Sequence, residues 1–408
     1  MKRVKPGHPK LLEKQVGSED WWESISLQES PLCMSLNNDT SLVCFVYRDN
    51  QNSNVGSVYM DLYSKTPHPT KQLTQFSKLE GTDVWYWETQ LPNDWLGSYF
   101  IMPVPSGNKP PEQSGRSEMR RWWIQSMSEY AQSDSLNLWP NYTNGNGLSL
   151  SIVSLAHSEA LTGTSNTLFP YADKKPSGLL TESPWHSKIL NNQRSIWLYR
   201  TAAEVTEELP VVFLFDGQFW AQHLSIFTDL DALTSQGQLP PAQYVFIDSI
   251  NTKTRSHELA CNTVFWQALQ QELIPWISTQ FNITSDAKKT IVAGQSLGGL
   301  AAVFGAFHWP DRFASAISLS GSFWWPDVDS LPGEGELIQQ IEQAETSTSL
   351  NLVLEAGCYE NDMLEVSKAM AKTLKKKGHN IHFQEFRGGH DWLCWRYSLL
   401  RSLIKILQ

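Results

Sequence analysis

The segment "IVAGQSLGGLAAVF", residues Ile291–Phe304, carries the strongest structural signal in the chain. An apolar run leads into Gly-Gln-Ser-Leu-Gly (294–298), and small apolar residues follow. The Gly-x-Ser-x-Gly pattern is typical of a serine on a sharp strand-to-helix turn, whose neighbours two positions before and after must be small. The segment therefore predicts a strand, a turn and a helix with Ser296 as a nucleophile. A tight packing turn with an incidental serine is the alternative.

The chain around this segment alternates between strand and helix patterns. Helical apolar spacing is seen over 262–281 and in the Lys-rich stretch 365–378. Segments that contain strands are predicted at 194–201, 209–220 (a buried strand and its exit loop), 242–250, 289–296, 313–325, 351–357 and 381–392. This order indicates an α/β domain with a mostly parallel sheet.

The first part of the chain has a different pattern. β-branched and aromatic residues, separated by turn residues, predict strands at 41–49, 55–64, 83–91 and 97–104, and a helix is predicted at 117–132. Short strands at such intervals favour a small antiparallel sandwich. We expect an N-terminal extension (1–16), a sandwich domain with the following helix (17–150), an interdomain connection (151–184) and a catalytic domain (185–408).

Composition excludes several classes of function. The 408 residues carry a net charge of −10 without a basic stripe, which argues against nucleic acid as a partner. The five scattered cysteines form no CxxC pair, so we expect reduced thiols and a cytoplasmic protein. We find no secretory signal and no apolar run of membrane-spanning length. Metal-ligand spacings and phosphate-binding loops are missing too, so we expect no metal and no cofactor.

Tryptophan is unusually common, with 18 residues. Core packing explains most single tryptophans. The doubled pairs Trp21-Trp22, Trp122-Trp123 and Trp324-Trp325 are harder to bury on both sides of one element. We therefore expect a flat aromatic ligand or a packed domain interface at such pairs.

A serine nucleophile needs a base, and His390 in "RGGHDW" follows the last predicted strand. In folds with this serine turn the chain order is Ser, acid, His, and His390 fits that order. The acid should follow the strand "NLVLEAG". We favour Glu360 over Asp362, while Asp391 or a dyad without an acid remains open.

An oxyanion hole needs two backbone N–H groups. One is expected from Leu297, directly after the nucleophile at the helix N-terminus. The other is expected from Gly217 or Gln218, in the loop after the strand "VVFLF". Asp216 is expected to brace that loop, although Asp-Gly also forms ordinary turns.

Arg255 begins the segment "RSHELACN" (255–262), just after a predicted strand at the mouth of the expected site. Most arginines are solvated surface charges. A rim arginine would instead attract an anionic substrate, and Glu258 could hold it in place.

Together these motifs resemble a known family. The second half is similar to the esterase D-like branch of the α/β-hydrolases, and nearly the full length resembles the enterochelin (enterobactin) esterase family. The stretches that carry the resemblance include "GSEDWW" (17–22), "DGQFWAQ" (216–222), "RSHELACN" (255–262), "VAGQSLGGL" (292–300), "SGSFWWP" (320–326) and "GGHDWLCWR" (388–396).

The resemblance implies an α/β-hydrolase catalytic domain, with a mostly parallel sheet and helices on both faces, after an immunoglobulin-like β-sandwich. It implies a catecholate siderophore as substrate: ferric and iron-free enterobactin or a close relative. Iron would enter only as part of that substrate, and the site would be cytoplasmic. Ser296 and His390 carry over as nucleophile and base, Glu360 as an acidic position, and Arg255 as a contact to the anionic ferric catecholate.

The expected reaction is acyl transfer at Ser296, with aromatic rings beside it. Trp220, Trp324 and Trp325 are expected to stack on catechol rings. No obligate protein partner is evident. Two alternatives remain open: an esterase for another aryl or feruloyl-type ester, and a non-catalytic siderophore-binding protein.

Overall fold

The computed structural model describes residues 6–26, 30–49, 54–111, 115–144, 147–155, 174–202, 208–327, 330–345 and 348–408. The chain divides into two compact units, Met1–Asn166 and Thr167–Gln408. Among the described residues, no helix has the length and apolar character needed to cross a membrane.

The first unit contains two antiparallel sheets. They have the strand orders β1-β2-β6-β5 and β4-β3-β7-β9-β8. Phe45 of one sheet packs edge-on against Tyr99 of the other, with ring centroids 4.8 Å apart, so the two sheets share a core. This arrangement confirms the predicted sandwich. The strands are β1 (Leu32–Ser35), β2 (Thr40–Arg48), β3 (Val55–Leu62), β4 (Thr74–Gln75), β5 (Ser77–Lys78), β6 (Val84–Pro92), β7 (Leu96–Pro105), β8 (Tyr142–Thr143) and β9 (Ser149–Ser154).

The described residues of this unit also form two helices and one 3-10 turn: α1 (Glu19–Ser26), α2 (Arg116–Tyr130) and the turn Pro9–Leu12. Trp21 and Trp22 on α1 are buried in the core, where they pack with Leu11. The Trp21 indole N–H donates to the carbonyl of Lys10 at 3.0 Å. The first tryptophan pair is therefore core, not a ligand platform, and the described part of the expected extension packs on the sandwich.

The expected connection 151–184 is shorter in the structure. β9 pairs with β7 inside the first unit, and a further strand, β10 (Leu179–Ser187), pairs with β11 (Asn192–Arg200) in the second. β10 lies at the edge of its sheet and exposes alternate side chains, so much of its sequence is polar. For that reason the sequence pattern did not predict it as a strand. Residues 156–173 lie outside the described part of the chain.

The second unit is built on one eight-stranded sheet, in the order β10-β11-β13-β12-β14-β15-β16-β17. The six strands from β13 to β17 in this order are parallel, while β10 and β11 add an antiparallel edge. The remaining strands are β12 (Val211–Phe215), β13 (Gln243–Ile247), β14 (Thr290–Gln295), β15 (Ser315–Leu319), β16 (Asn351–Gly357) and β17 (Asn380–Phe386).

Helices cover both faces of this sheet. On one face Phe215 packs edge-on against Trp266, at 5.7 Å between ring centroids. On the other, Phe246 packs against Phe227 at 5.3 Å. The mostly parallel α/β fold is thus confirmed. The α-helices are α3 (Phe227–Ser235), α4 (Thr252–Glu258), α5 (Thr263–Ala268), α6 (Ile274–Ser278), α7 (Leu297–His308), α8 (Glu336–Gln343), α9 (Asp362–Lys376) and α10 (Trp392–Leu407).

Short irregular helices lie between these elements. A π-helical turn, Leu269–Leu273, joins α5 to α6, and a second, Phe219–His223, follows β12. A 3-10 turn at Ala287–Lys289 leads into β14.

The parallel strands bring separate parts of the chain to one edge. The carboxyl ends of parallel strands meet on the same side of a sheet, where ligands usually bind in such folds. Asp216 follows β12, Ser296 follows β14, Ser320 follows β15, Glu360 follows β16 and His390 follows β17. The topology therefore places all five at that edge.

Candidate active site

Ser296 lies on the turn between β14 and α7 with φ 56° and ψ −121°. A positive φ is unfavourable for a residue with a side chain, and such strain occurs often at functional sites. The turn is tight, because a Cβ atom at Gly294 would lie 2.5 Å from the carbonyl carbon of Gly298. A Cβ at Gly298 itself would meet nothing closer than 3.5 Å. Of these two positions, only 294 therefore requires glycine because of a close backbone contact.

His390 reaches the nucleophile from the loop between β17 and α10. Its Nε2 lies 3.2 Å from Ser296 Oγ, within hydrogen-bonding reach. The neighbouring Asp391 is buried and accepts a hydrogen bond from the Leu393 N–H at 3.0 Å as the N-cap of α10. Asp391 thus has a capping role at the start of α10.

Glu360 stands behind the histidine, with Oε2 3.6 Å from His390 Nδ1. Its carboxylate is fully buried, and Oε1 accepts a 2.6 Å hydrogen bond from Ser320. Gly357 makes room for it, since a Cβ there would lie 2.9 Å from Oε1. Asp362, the alternative, is the exposed first residue of α9. The structure therefore brings Ser296, His390 and Glu360 together.

Two segments near this turn are the candidates for the oxyanion N–H groups. Leu297 is the first residue of α7, where N–H groups have no partner within the helix. Gly217 follows β12, and a Cβ there would lie 2.4 Å from the Ile247 nitrogen, so the loop requires glycine. The Gln218 side chain is held by Ser249, to which its Nε2 donates at 2.8 Å. This loop remains the candidate for the second oxyanion donor.

Asp216 joins these two loops. Arg255 donates to its carboxylate through Nε at 2.7 Å and Nη2 at 2.8 Å, and Ser249 donates at 2.6 Å. Gln295, next to the nucleophile, donates to the same carboxylate. Burial alone would lower the pKa of Arg255, but the charge and hydrogen bonds of Asp216 raise it. We call these contacts the Asp216 clamp; they confirm that Asp216 braces its loop.

Arg255 is therefore held by Asp216, and the predicted partnership with Glu258 is wrong. Glu258 instead accepts a hydrogen bond from Arg194 Nη2 at 2.6 Å and another from Asn192 at 2.9 Å. Both charged side chains of the Arg194–Glu258 pair are nearly inaccessible to solvent. The pair fastens α4 to β11, and Glu258 also belongs to the lining of the cavity beside α4.

The three predicted stacking tryptophans have different surroundings. Trp220 is only 1% exposed and packs edge-on against Trp392 at 5.3 Å, so its prediction as a stacking surface is wrong. Trp324 is half-buried and donates its indole N–H to Met363 Sδ at 3.1 Å. Trp325 lines a cavity of about 1020 Å³. Among its other lining residues are Leu190, Asn192, Asn251, Lys253, His257 and Asn262.

Two serines near the nucleophile were missed from the sequence. Ser322 Oγ lies 3.3 Å from Ser296 Oγ, and its N–H donates to the Ser296 carbonyl at 3.0 Å. Ser320 contacts Glu360, as described above. Both follow β15, so their position at the carboxyl end of a strand beside β14 was the available signal.

The other titratable groups add no second reactive centre to this geometry. No disulfide joins the five cysteines, all of which lie in described segments. Burial raises the pKa of Cys394 well above its usual value and that of Cys261 to about 12. Within the described ranges, no cluster of three or more His, Cys, Asp or Glu side chains is placed to hold a metal ion.

Family models match both parts of the chain. Residues 187–406 match a model described as putative esterase, and residues 42–163 match one described as enterochelin esterase, N-terminal. Two curated relatives are named iron(III) enterobactin esterase. The one from Escherichia coli is 37% identical, covering 97% of each chain. The one from Dickeya dadantii is 35% identical, covering 96% of this chain and 93% of the relative.

Solved structures are similar over the same length. An enterobactin esterase from Shigella flexneri, crystallised in the presence of enterobactin, superposes with a TM-score of 0.82 at 36% identity, covering 96% of this chain and 98% of its own. A ferric enterobactin esterase from Salmonella typhimurium gives 0.84 at 34% identity, covering 95% and 98%.

Proposed function

This chain belongs to the enterochelin (enterobactin) esterase family and is an ester hydrolase, and we propose that it opens the trilactone of a catecholate siderophore. Ferric and iron-free enterobactin, or a close relative, are the proposed substrates. The observation that carries the mechanism is the 3.2 Å contact between Ser296 Oγ and His390 Nε2. It places a base within reach of a hydroxyl on a nucleophile turn.

The first half-reaction forms an acyl-enzyme. With Glu360 facing Nδ1, the neutral His390 ring carries its proton there and accepts the Ser296 proton at Nε2. Ser296 Oγ attacks a serine-ester carbonyl, and the N–H groups of Leu297 and of Gly217 or Gln218 stabilise the oxyanion. His390 then protonates the leaving seryl hydroxyl, and the ester bond breaks.

The second half-reaction releases the product. Water replaces the leaving group, gives a proton to His390 Nε2 and attacks the acyl carbon. Collapse of the tetrahedral intermediate returns the proton to Ser296 Oγ and frees a carboxylic acid, which loses its proton to solvent. Side chains and backbone N–H groups supply every step, so we propose that iron enters only as part of the substrate.

We propose that the cavity beside α4 receives a catechol arm. Arg255 of α4 contacts the nucleophile turn through the Gln295 carbonyl, at 3.4 Å from Nη2, while Lys253 and His257 of the same helix line the cavity. Trp325 offers an aromatic face there. Lys253 supplies the positive charge and Trp325 the stacking surface that a catecholate favours.

Arg255 has a role that differs from the expected one. With its guanidinium held by Asp216, its charge is largely compensated, although 22% of its side chain remains exposed. We propose that it acts first through the clamp and only secondarily on the ferric complex. Opening of the trilactone weakens the iron chelate, and we propose that this occurs in the cytoplasm, where the released iron is used.

A timed digest of ferric and iron-free enterobactin, with trimer, dimer and monomer products separated by chromatography, tests the proposal. We expect linear products from the native chain, and Ser296→Ala to lower the rate by at least about 10³-fold. Ser318→Ala, a buried serine outside the triad, is the matched control. Full activity of Ser296→Ala would overturn the mechanism. Faster hydrolysis of a feruloyl ester than of enterobactin would overturn the proposed substrate.

A further inference from the structure

Ser320 occupies an unusual backbone position behind the triad. It follows β15 with φ 49°, is fully buried, and donates its N–H to the Glu355 carbonyl at 2.7 Å. A serine gains nothing locally from a positive φ, which is costly for any residue with a Cβ. The conformation places its hydroxyl beside Glu360, and we attribute the unfavourable backbone angle to that contact.

The direction of the Ser320 hydroxyl proton follows from its neighbours. The Trp395 indole N–H can only donate, and it donates to Ser320 Oγ at 2.9 Å. Ser320 Oγ lies 2.6 Å from Glu360 Oε1. A hydroxyl has one proton, and an ionised carboxylate can only accept, so that proton points at Glu360. The sequence of hydrogen bonds therefore runs in one direction, from Trp395 through Ser320 to Glu360.

The same tryptophan also contacts the base. The Trp395 ring packs edge-on against the His390 ring, with centroids 4.5 Å apart and an interplanar angle of 83°. Trp395 is nearly buried in α10, whose N-cap is Asp391, the residue after His390. One side chain thus contacts the imidazole directly and the acid through Ser320.

We propose that Ser320 is a positioning residue for Glu360, and that Trp395 fixes the direction of its hydrogen bond. The inference rests on the proposed esterase mechanism. Ser320 occupies Oε1 and turns Oε2 towards His390 Nδ1, which lies 3.6 Å away. At that separation the carboxylate is not held by the histidine itself. Its orientation must come from another contact, and the hydrogen bond from Ser320 supplies it.

Loss of the Ser320 hydroxyl leaves Oε1 without its donor in a buried site. The carboxylate would then rotate in search of another partner, and Oε2 would face His390 for less of the time. The expected cost falls on the chemical step, because His390 must hold the proton at Nδ1 while Nε2 accepts one from Ser296. Substrate binding does not involve Ser320, which is 0% exposed.

The test is a double-mutant cycle on iron-free enterobactin with Ser320→Ala, Glu360→Gln and the double variant. We expect Ser320→Ala to lower kcat about 10-fold, with KM changed less than about 2-fold. We expect the double variant to lose no more than Glu360→Gln alone, because Ser320 acts through Glu360. Ser318→Ala, a buried serine of β15 two residues away, should keep native kcat.

Trp395→Phe provides a second test that keeps an aromatic ring against His390. It removes the indole N–H, and we expect kcat to fall about 3-fold, with no additional loss when combined with Ser320→Ala. If Ser320→Ala does not fold, the kcat of Trp395→Phe alone tests the inference.

Two results would overturn the inference: a kcat for Ser320→Ala equal to that of Ser318→Ala, or a loss that multiplies with that of Glu360→Gln. Either can occur while Ser296→Ala is inactive, which would leave the esterase mechanism standing. An active Ser296→Ala variant would refute the mechanism itself.

Discussion

Two buried carboxylates flank Ser296, and they are held in opposite ways. Asp216 accepts from Arg255, Ser249 and Gln295 at once, with Nε and Nη2 of the arginine 2.7 and 2.8 Å away. Glu360 has a close donor in Ser320, while its contact with His390 is 3.6 Å long. The Asp216 side, where we propose the oxyanion hole, is therefore held by several short contacts, while the contact between Glu360 and His390 is long.

The difference matches what each side must do. Oxyanion stabilisation depends on donors already in place when charge develops, because reorganisation at that moment would cost energy. A hydrogen bond to a catalytic histidine can be long in the free enzyme and shorten when the ring becomes charged. The clamp and the loose contact thus reflect a fixed and a responsive role.

Of the two carboxylates, Asp216 should give the larger effect on kcat. Asp216→Asn removes the charge partner of Arg255 and loosens the turn that carries Gly217, so we expect kcat to fall about 10²-fold, comparable to loss of one oxyanion donor. Steady-state kinetics on iron-free enterobactin measure this. A matched change on the surface, Asp311→Asn, should leave kcat native. If Asp216→Asn kept native kcat, the clamp would not organise the oxyanion side.

A smaller effect is expected on the loose side. Glu360→Gln should lower kcat about 10-fold, because a carboxylate 3.6 Å from His390 contributes less than one in full hydrogen-bond contact. Asp362→Asn is the control, since Asp362 is exposed at the start of α9. A loss for Glu360→Gln greater than that for Asp216→Asn would reverse the comparison.

Substitution of Glu258, on the same helix as Arg255, should lower stability without lowering kcat. Glu258→Gln leaves Arg194 as an uncompensated buried charge, so we expect the free energy of unfolding to fall by about 3 kcal/mol. We expect kcat to stay within about 2-fold of native at a temperature where the variant is folded. Denaturant titration and kinetics on one preparation test both statements. A large loss of kcat in the folded variant would show that Glu258 contributes to the active site.

The smallest predicted effect is on stability and depends most on pH. It comes from a sandwich carboxylate that has no ion-pair partner among the described residues. Burial raises the pKa of Asp61, in the sandwich, from 3.8 to about 6, and Thr66 donates to it at 2.7 Å. Because the folded pKa is the higher one, this group favours the folded state below about pH 4, and that contribution is lost as pH rises through 6. We expect Asp61→Asn to gain stability relative to native between pH 4 and 7, measured by denaturant titration. An unchanged difference across that range would contradict the raised pKa.

The sequence predicted the features that depend on local pattern and chain order. Gly-x-Ser-x-Gly with a buried strand before it located Ser296, and the order Ser, acid, His located His390 and Glu360. Most of the parallel strands followed from their continuous apolar runs, whereas β17 carries polar residues between its apolar ones. Each of these signals lies within a few residues or depends on the succession of elements alone.

Contacts between distant segments could not be predicted in the same way. Glu258 is three residues from Arg255, which suggested a pair on one helix face, yet their partners are Arg194 on β11 and Asp216 just after β12. Nothing near Trp220 in the sequence shows that Trp392 covers it. Ser320 was missed because a lone serine carries no spacing rule.

The backbone of Ser296 has a consequence for how this protein could change over time. Its φ of 56° costs on the order of 1–3 kcal/mol for a residue with a side chain, and glycine would avoid most of that cost. Selection for thermal robustness alone would therefore favour glycine at 296. At this position selection for hydrolysis favours serine despite that cost, so a lineage that came to bind siderophores without cleaving them would be expected to lose it early.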